Sequence, residues 1–531
     1  MKRPGLASNA EQVGRALAHL QSGRLKDAER IVKDVLRASP GHFDALHALA
    51  IIRGQQRQTN EAVKLLAKAV QVEPSSAPAH YNLGSALMIL KRFDEAAVAF
   101  ERAVTLRPDA AHAHESLGRA RQALGRLDEA AASYENAVRL DPNNSLALSS
   151  LVQAKRKICD WYGLDALEQR LIKSVAEKKR PVEPLLLHYV ADDPRLQRDN
   201  AVLYFRDFLK PSFSAPLAST RFQHKPRSRE RIRLGYLSSD FRQHAMAYVM
   251  AELFELHDRR QFEVIGISYG PDDKSAMRKR LGSAFDRFLD VRSASADQIA
   301  RRMWSLEIDI AIDLNGYTAL ARPDILAPRP APVQCQYLGF PGTLGSDFID
   351  YLFVDPIVAP ADQDQNFTER LVRLPDCYQV NDRQRAVAPQ LPSRAECGLP
   401  SDGFVFCCFN SPHKLTPRMF NVWAKILHAV PESVLWLICD DHRGRNNLIR
   451  ESNARGLGPD HLVFAGRVSQ PEHLARLQLA DLFLDTLPYN AHVTASDALW
   501  VGLPVLTCAG RAMPGRVGAS LLMAVGLPEL V

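Results

Sequence analysis

The small and hydrophobic positions of the first 155 residues recur with a period of 34. Three sets of residues show this period: Pro40, Pro74, Pro108 and Pro142; Ala28, Ala62, Ala96 and Ala130; and Ala16, Ala50, Gly84 and Gly118. Small residues at a constant spacing mark points where helices touch, and a proline ends a helix because it has no N–H to donate. The pattern therefore predicts an α-solenoid of stacked helix pairs over residues 1–155.

A period of 34 residues is typical of tetratricopeptide repeats. Leu151 keeps the register of Leu117, so the first helix of a fifth repeat is expected to begin near Ser145, which gives about four and a half repeats. Most of the repeated positions are interpreted as packing positions. The groove lined by the first helices usually holds a peptide in such arrays, and its candidate contact residues are His47, Asn82 and Ser116.

The pattern changes after residue 155. Residues 164–171 have helical hydrophobic spacing, and residues 224–231 form a polar, basic stretch that is interpreted as solvated. Residues 156–230 are therefore predicted to be a helical linker.

Short apolar runs then alternate with helical segments. In residues 231–390 the runs are 232–238, 262–268 and 308–314, with helices expected at 246–257 and 296–306. In residues 391–531 the runs are 404–409, 434–438, 461–465, 482–484 and 505–507, with helices expected at 419–430, 446–456 and 471–480. This alternation predicts two consecutive Rossmann-like α/β lobes with parallel sheets. Because ligands collect at the carboxyl ends of such strands, the site is expected in a cleft between the lobes.

One strand-to-helix junction predicts a phosphate site. The apolar run 480–484 is followed by small and hydroxylated residues, Ala491 to Ser496, where a helix is expected to begin. Free N–H groups and the positive end of the helix dipole favour an anion there. Asp497, one turn into this helix, is placed to accept hydrogen bonds from a sugar hydroxyl. The stretch 485–504 is therefore interpreted as a nucleotide diphosphate site without a P-loop.

Polar residues also follow the runs of the first lobe. His244 is a candidate for acid–base chemistry or hydroxyl binding, with helix capping by Ser239 or Asp240 as the competing interpretation. Asp313 or Asn315 is a candidate to approach an acceptor hydroxyl, with an Asx-turn as the alternative. The glycine-rich loop 336–345 bends tightly enough to bring backbone N–H groups against a substrate.

In the second lobe, Lys414 supplies the fixed cation that a diphosphate leaving group requires in inverting transfer from a nucleotide sugar. Backbone groups of Arg467 or Val468 are candidates to read a base edge, and His473 is a candidate to lie beside the nucleotide. The acid pairs at 272–273 and 440–441 lack Asp-x-Asp spacing. They are interpreted as surface loops, and no metal is expected.

Composition narrows the functional classes. Hydrophobic residues make up 46% and charged residues 24% of the chain, as in soluble globular proteins. The formal net charge of +7 is small for 531 residues and is not gathered into a tract, which disfavours nucleic-acid binding. The sequence predicts no membrane span and no signal peptide. Eight scattered cysteines without a Cys-x-x-Cys pair favour reduced thiols in a cytoplasm.

Several motifs together resemble the catalytic region of protein O-GlcNAc transferases, including bacterial members described as SPINDLY-like. They are the segments 234–241, 315–318, 329–334, 338–343 and 490–497, and Phe409-Asn410 with Lys414. The resemblance extends over nearly the whole chain. It implies a GT-B fold and a metal-independent inverting mechanism without a cofactor. It also implies transfer of a sugar to Ser or Thr of proteins, with UDP-GlcNAc as the favoured donor.

The resemblance assigns residues to the two sides of the cleft. The donor side comprises Asn410, Ser411, Lys414, Val468, His473, His492, Val493, Thr494 and Asp497. In this assignment Lys414 stabilises the diphosphate and Asp497 binds the ribose. The acceptor side comprises Asn315, Thr318, Pro341, Gly342 and Thr343. His244 and Asp313 are the candidates for the general base, and protein acceptors are expected in the repeat groove.

Departures from the family pattern leave alternatives open. Ser411 stands where the family has glutamine, and only Asn82 matches the groove asparagines of the animal enzymes. GDP-fucose and UDP-glucose remain alternative donors, because related enzymes differ in donor. The sequence ends soon after a helix expected at 516–525. This predicts a truncated second lobe with exposed apolar surface at 521–531, and a catalytically impaired repeat scaffold is the other alternative.

Overall fold

The computed structural model describes residues 8–213, 222–224 and 229–531. The chain divides into two compact units, Met1–Lys155 and Arg156–Val531, and each is described by itself.

The first unit is built from antiparallel helix pairs. Its helices are α1 (Asn9–Gln21), α2 (Leu25–Ala38), α3 (Phe43–Gln55), α4 (Thr59–Val72), α5 (Ala77–Ile89), α6 (Phe93–Leu106), α7 (Ala111–Ala123), α8 (Leu127–Leu140) and α9 (Ser145–Lys157). The predicted start near Ser145 is confirmed. The repeated small positions lie at helix contacts: a Cβ on Gly118 would come within 2.6 Å of the Tyr134 ring. Close approach of paired helices thus explains the period of small residues.

Short helices open the second unit. They are α10 (Leu164–Ala176), α11 (Pro184–Val190) and α12 (Pro194–Tyr204), followed by a π-helical turn at Phe205–Leu209. The basic stretch predicted to be solvated lies in part outside the described residues, at 225–228. Arg229 corrects that prediction at its end, because it pairs with Asp309 at 2.8 Å.

The first lobe contains a parallel sheet with seven strands among the described residues, in the order β3-β2-β1-β4-β5-β6-β7. The strands are β1 (Ile232–Ser238), β2 (Phe262–Ser268), β3 (Arg287–Asp290), β4 (Ile310–Asp313), β5 (Val333–Gln336), β6 (Tyr351–Val354) and β7 (Arg370–Arg373). The helices are α13 (Ala245–Leu256), α14 (Ala276–Ala284) and α15 (Ala296–Ser305). The three predicted runs correspond to β1, β2 and β4.

The second lobe contains a parallel sheet in the order β10-β9-β8-β11-β12. The strands are β8 (Val405–Cys408), β9 (Val434–Ile438), β10 (Leu462–Ala465), β11 (Leu482–Leu484) and β12 (Val505–Leu506). The helices are α16 (Pro417–Ala429), α17 (His442–Asn453), α18 (Gln470–Leu477), α19 (Val493–Trp500) and α20 (Val517–Ala524). Every predicted strand of this lobe is present.

Apolar exposure near the last helix is uneven. Leu521 and Leu522 are buried, which corrects the predicted exposure at those two positions, whereas Met523, Val525 and Val531 are exposed. None of the helices in the described ranges combines the length and hydrophobicity needed to cross a bilayer.

Candidate functional site

The strand order of the second lobe reverses between β8 and β11, and the residues after these strands converge. Asn410, after β8, donates from Nδ2 to Thr486 Oγ1 at 2.9 Å. Its Oδ1 accepts a hydrogen bond of 2.6 Å from Thr494 of α19. Open parallel sheets bind ligands at such a reversal, so Asn410 and Thr494 lie where a ligand is expected.

Lys414 lies beside this point on a helical turn at Pro412–Lys414. Its Nζ donates to the carbonyl of Asn490 at 2.8 Å and lies 4.3 Å from the ring centroid of Tyr489. Burial lowers the pKa of Lys414 to about 8, and the negative charge of Asp485 opposes that shift. Because this bond is to a carbonyl and not to a carboxylate, the positive charge remains available to an anion.

The helix behind Lys414 begins at Val493, two residues later than predicted, and His492 immediately precedes it. The first intrahelical bond runs from Ser496 N–H to His492 O, so the N–H groups of Val493 and Thr494 are open to an anion. Burial lowers the pKa of His492 well below its ordinary value. Its Nε2 lies 3.1 Å from the carbonyl of Pro514, which makes this nitrogen the donor of a neutral ring.

Asp485 is a site residue that the sequence interpretation did not assign. Its Oδ1 accepts hydrogen bonds from the N–H groups of Thr486 and Ala491, at 2.6 and 2.5 Å, and its Oδ2 accepts one from Thr507. Burial raises the pKa of Asp485 to about 6. Its position directly after β11 was the available signal. The carboxylate holds together the loop that leads to α19.

Asp497 is buried and paired. Its Oδ1 accepts a hydrogen bond of 2.7 Å from Arg385, and its Oδ2 accepts one of 3.1 Å from Gln470. Burial raises the pKa of the Asp497 carboxyl, while Gln470 and Arg385 oppose that shift. The sequence interpretation missed both partners. Arg385 had no local signal, because it lies in the link between the lobes and is distant in sequence.

The residues predicted to contact the nucleotide base follow β10, with Val468 in the loop and His473 on α18. Burial lowers the pKa of His473 to about 4, and its ring lies 5.3 Å from that of Phe409. Arg476, three residues later on α18, places a guanidinium nitrogen 3.1 Å from His473 Nδ1. The i, i+3 spacing of the two residues was a sequence signal for this contact. Val468 and Arg476 line a groove of about 740 Å³ beside residues 388–392. Ser411 is exposed.

In the first lobe, the strand order reverses between β1 and β4, and Asn315 joins the loops that follow them. Its Oδ1 accepts from Ser239 N–H at 2.9 Å, and its Nδ2 donates to Asp240 at 2.8 Å and to Thr318 Oγ1 at 3.0 Å. These bonds hold the Asn315 side chain within the first lobe. The predicted contacts of Asn315 and Thr318 with an acceptor stay predictions.

Asp313 and His244 have different environments. Asp313 is buried and accepts hydrogen bonds of 3.0 Å from the N–H groups of Asn315 and Gly316, which is the Asx-turn alternative. Burial raises the pKa of Asp313 to about 6. His244 is partly exposed and caps α13 itself, because its Nδ1 accepts from Met246 N–H at 3.3 Å. Burial also lowers the pKa of His244, so a neutral ring with its proton on Nε2 is favoured.

The loop after β5 is packed into the first lobe. Pro341, Gly342 and Thr343 are buried. Thr343 donates to Glu369 at 2.6 Å, and a Cβ on Gly342 would lie 2.7 Å from the His188 ring. These side chains face the interior, and their contact with an acceptor stays a prediction.

The candidate groove residues of the repeats make polar contacts within the first unit. Asn82 Nδ2 lies 2.7 Å from His47 Nε2, and Ser116 Oγ lies 3.5 Å from the Tyr81 hydroxyl. Their contact with a peptide stays a prediction.

Comparison with known proteins extends these observations. The model of glycosyl transferase family 41 matches residues 215–391 and 385–531, and a tetratricopeptide repeat model matches residues 47–111 and 92–145. The O-GlcNAc transferase of Thermobaculum terrenum, solved as a mutant, aligns with a TM-score of 0.60 and 29% identity over 99% of this chain and 88% of that chain. The predicted fold class, a repeat solenoid followed by two Rossmann-like lobes of the GT-B type, is confirmed.

Two curated relatives carry related names. "Probable UDP-N-acetylglucosamine--peptide N-acetylglucosaminyltransferase SEC" of Arabidopsis thaliana is 41% identical over 303 residues, which are 56% of this chain and 31% of that protein. "UDP-N-acetylglucosamine--peptide N-acetylglucosaminyltransferase" of Caenorhabditis elegans is 27% identical over 497 residues, with coverage of 70% and 43%. The chain thus spans less than half the length of these relatives. Since the family model matches more than half of the chain, the resemblance is confirmed, and the chain belongs to glycosyl transferase family 41.

Proposed function

We propose that the chain is a protein O-glycosyltransferase that transfers N-acetylglucosamine from UDP-GlcNAc to Ser or Thr hydroxyls with inversion. The observation that carries the proposal is the position of the partly buried Lys414 ammonium, which bonds to the Asn490 carbonyl three residues before the open N–H groups at the start of α19. A nucleotide sugar breaks its bond to a diphosphate leaving group, and negative charge grows on that group in the transition state. Positive groups held in place before reaction stabilise this charge.

The nucleotide extends from this point across the second lobe. Asp497 accepts a hydrogen bond from a ribose hydroxyl, and the base lies toward His473 and the backbone of Val468. The exposed Val468 and the groove beside it support this direction. The donor assignment is supported by the names of the relatives, which specify UDP-N-acetylglucosamine and a peptide.

The acceptor hydroxyl approaches from the first lobe. His244 is partly exposed, whereas Asp313 is buried and bonded to two backbone N–H groups. We therefore place His244 in direct contact with the substrates, and Asp313 in support of the turn after β4. A ring protonated at Nε2 donates a hydrogen bond there, so His244 binds a substrate oxygen in this state. We propose that the groove of the repeats binds protein acceptors.

The cysteines support a proposal for the compartment. All eight cysteines are free in the structure, and most are buried. A protein that keeps eight unpaired thiols fits a reducing environment, so we propose the cytoplasm.

A transfer assay tests the function. The full chain is incubated with labelled UDP-GlcNAc and a protein lysate, and label in protein is measured with and without EDTA. We expect labelling in both conditions and a loss of at least about 100-fold in Lys414→Ala, because a lost transition-state contact of this kind costs about 10²–10³ in rate.

Two results of this assay contradict the proposal. Equal label in the wild type and in Lys414→Ala excludes transfer at this site. Stronger labelling when labelled GDP-fucose or UDP-glucose replaces UDP-GlcNAc contradicts the donor assignment and leaves the fold and the site unchanged.

A further inference from the structure

The link between the lobes, at residues 381–385, carries charged groups that the proposed donor contacts do not explain. Arg280 of α14 donates to Asp382 Oδ2 at 2.5 Å, and Arg383 donates to Glu252 of α13 at 2.8 Å. These ion pairs tie the link to the first lobe.

Arg385 extends from the same link into the second lobe. Its Nη1 donates to Asp497 Oδ1 at 2.7 Å, and its guanidinium carbon lies 4.7 Å from the ring centroid of Trp500. Its Nε also donates to the carbonyl of Asp382 at 3.2 Å. The Arg385 side chain is therefore held by a carboxylate, an aromatic face and its own backbone segment.

The Arg385–Asp497 pair is shielded from water. The two side chains are 3% and 5% exposed, so neither charge is solvated well enough to stand alone. A buried carboxylate that loses its cation either takes up a proton or moves toward solvent. A protonated carboxyl group is a weaker acceptor than a carboxylate, and a displaced one no longer accepts at its present position.

We propose that Arg385 is a positioning residue for a ribonucleoside diphosphate, which holds the Asp497 carboxylate ionised and in place to accept from a ribose hydroxyl. This inference rests on the proposed function, which puts Asp497 against the ribose. Each carboxylate oxygen has two lone pairs, and the bonds from Arg385 and Gln470 leave capacity on both oxygens. Arg385 itself does not touch the reacting atoms.

Recognition of the ribose hydroxyls distinguishes this role from general support of the fold. A nucleotide that lacks those hydroxyls cannot use the Asp497 carboxylate. If Arg385 acts through Asp497, its loss weakens binding of UDP and leaves the binding of 2′,3′-dideoxy-UDP unchanged. A loss of packing weakens both.

The test is titration calorimetry of the full chain with UDP and with 2′,3′-dideoxy-UDP. The variants are Arg385→Gln, Arg385→Lys, Asp497→Asn and the double variant Arg385→Gln/Asp497→Asn. We expect Arg385→Gln to weaken UDP binding roughly 10- to 100-fold, the range for a hydrogen bond to a charged group, with no change for the dideoxy nucleotide. The double variant binds UDP no more weakly than Asp497→Asn, because the two residues act as one unit.

Two further variants separate charge from folding. Arg385→Lys keeps the positive charge and recovers part of the preference for UDP. Arg383→Gln is the matched control. Arg383 lies in the same link, pairs with Glu252 and is 71% exposed. We expect its substitution to leave the affinity for UDP unchanged.

Several results overturn the inference. Equal loss for both nucleotides, additive effects in the double variant, or unchanged UDP affinity in Arg385→Gln each exclude a role through Asp497, and the proposed function stands. Failure of the wild-type chain to bind UDP overturns the proposed function, and this inference with it.

Discussion

At the scale of single residues, the site depends on charges held away from water. Lys414 is the clearest case, because burial lowers its pKa to about 8, far below the ordinary value for lysine. The lysine is still mostly protonated at neutral pH, and its hydrogen bond is to the Asn490 carbonyl, so no directly paired carboxylate competes with the diphosphate proposed to bind there. The same burial makes the site sensitive to mild alkali.

We predict that UDP affinity falls as pH rises above about 8, because the neutral amine that forms there no longer attracts phosphate. The decline approaches tenfold per pH unit when one protonated group is required. Titration calorimetry from pH 7 to pH 9.5 measures it. His473, with a pKa of about 4, and His492, with a pKa well below its ordinary value, are neutral throughout this window.

Lys414→Met provides the control for this pH dependence. The variant binds UDP weakly, and its affinity does not change over the same window. A wild-type affinity that is constant to pH 9.5 contradicts the assignment of Lys414 to the diphosphate.

The sequence predicted some of these residues and not others. Lys414, Thr494 and Asp497 lie in recognisable motifs, so they could be assigned before the structure was known. Arg385 could not, because its importance comes from a contact with Asp497 across 112 positions of sequence. A single sequence contains no local pattern for such a contact.

At the scale of elements, the repeats show the clearest relation between sequence and structure. A helix pair packs closely where the residue at the contact is small, and Gly118 leaves room for the ring of Tyr134. The 34-residue period of small residues could therefore be recognised directly in the sequence. The edge strands β3 and β7 were not predicted, because they are only four residues long and partly exposed. β5 and β6 were not predicted either, and in β5 the polar residues Gln334 and Gln336 interrupt the apolar run.

We predict that Gly118→Ala lowers the free energy of unfolding by about 1–3 kcal/mol, because the new methyl group would lie 2.6 Å from the Tyr134 ring. Gly54→Ala in α3 is the matched control. Its Cβ meets nothing within 4 Å, and it stabilises the helix by about 0.5–1 kcal/mol. Urea unfolding followed by circular dichroism at helical wavelengths measures both. Equal effects of the two substitutions contradict the packing argument.

At the scale of the whole second unit, hydrogen bonds to buried carboxylates connect the two lobes. Asp355, after β6 of the first lobe, accepts a hydrogen bond of 2.6 Å from Ser520 of α20 in the second lobe. The Asp355 carboxylate also accepts from the N–H groups of Ile357, Val358 and Tyr378. The two-lobed architecture was predictable from alternating strands and helices, whereas the contacts between lobes were not, because both partners stand far apart in sequence.

We predict that Ser520→Ala lowers the free energy of unfolding by about 1.5–3 kcal/mol, because a buried carboxylate loses one of its donors. Ser283→Ala is the matched control, since Ser283 is exposed and bonds only to the Lys279 carbonyl within α14. Its effect stays within about 0.5 kcal/mol. Denaturant titration of the full chain measures both variants. A neutral Ser520→Ala contradicts the importance of this contact between lobes.

The crystal structure of the full chain with bound UDP tests the central claim most directly. We expect a diphosphate within hydrogen-bond distance of Lys414 Nζ and of the N–H groups of Val493 and Thr494, with a ribose hydroxyl on Asp497. A UDP molecule bound elsewhere, with Lys414 still on the Asn490 carbonyl and no phosphate beside α19, would contradict it.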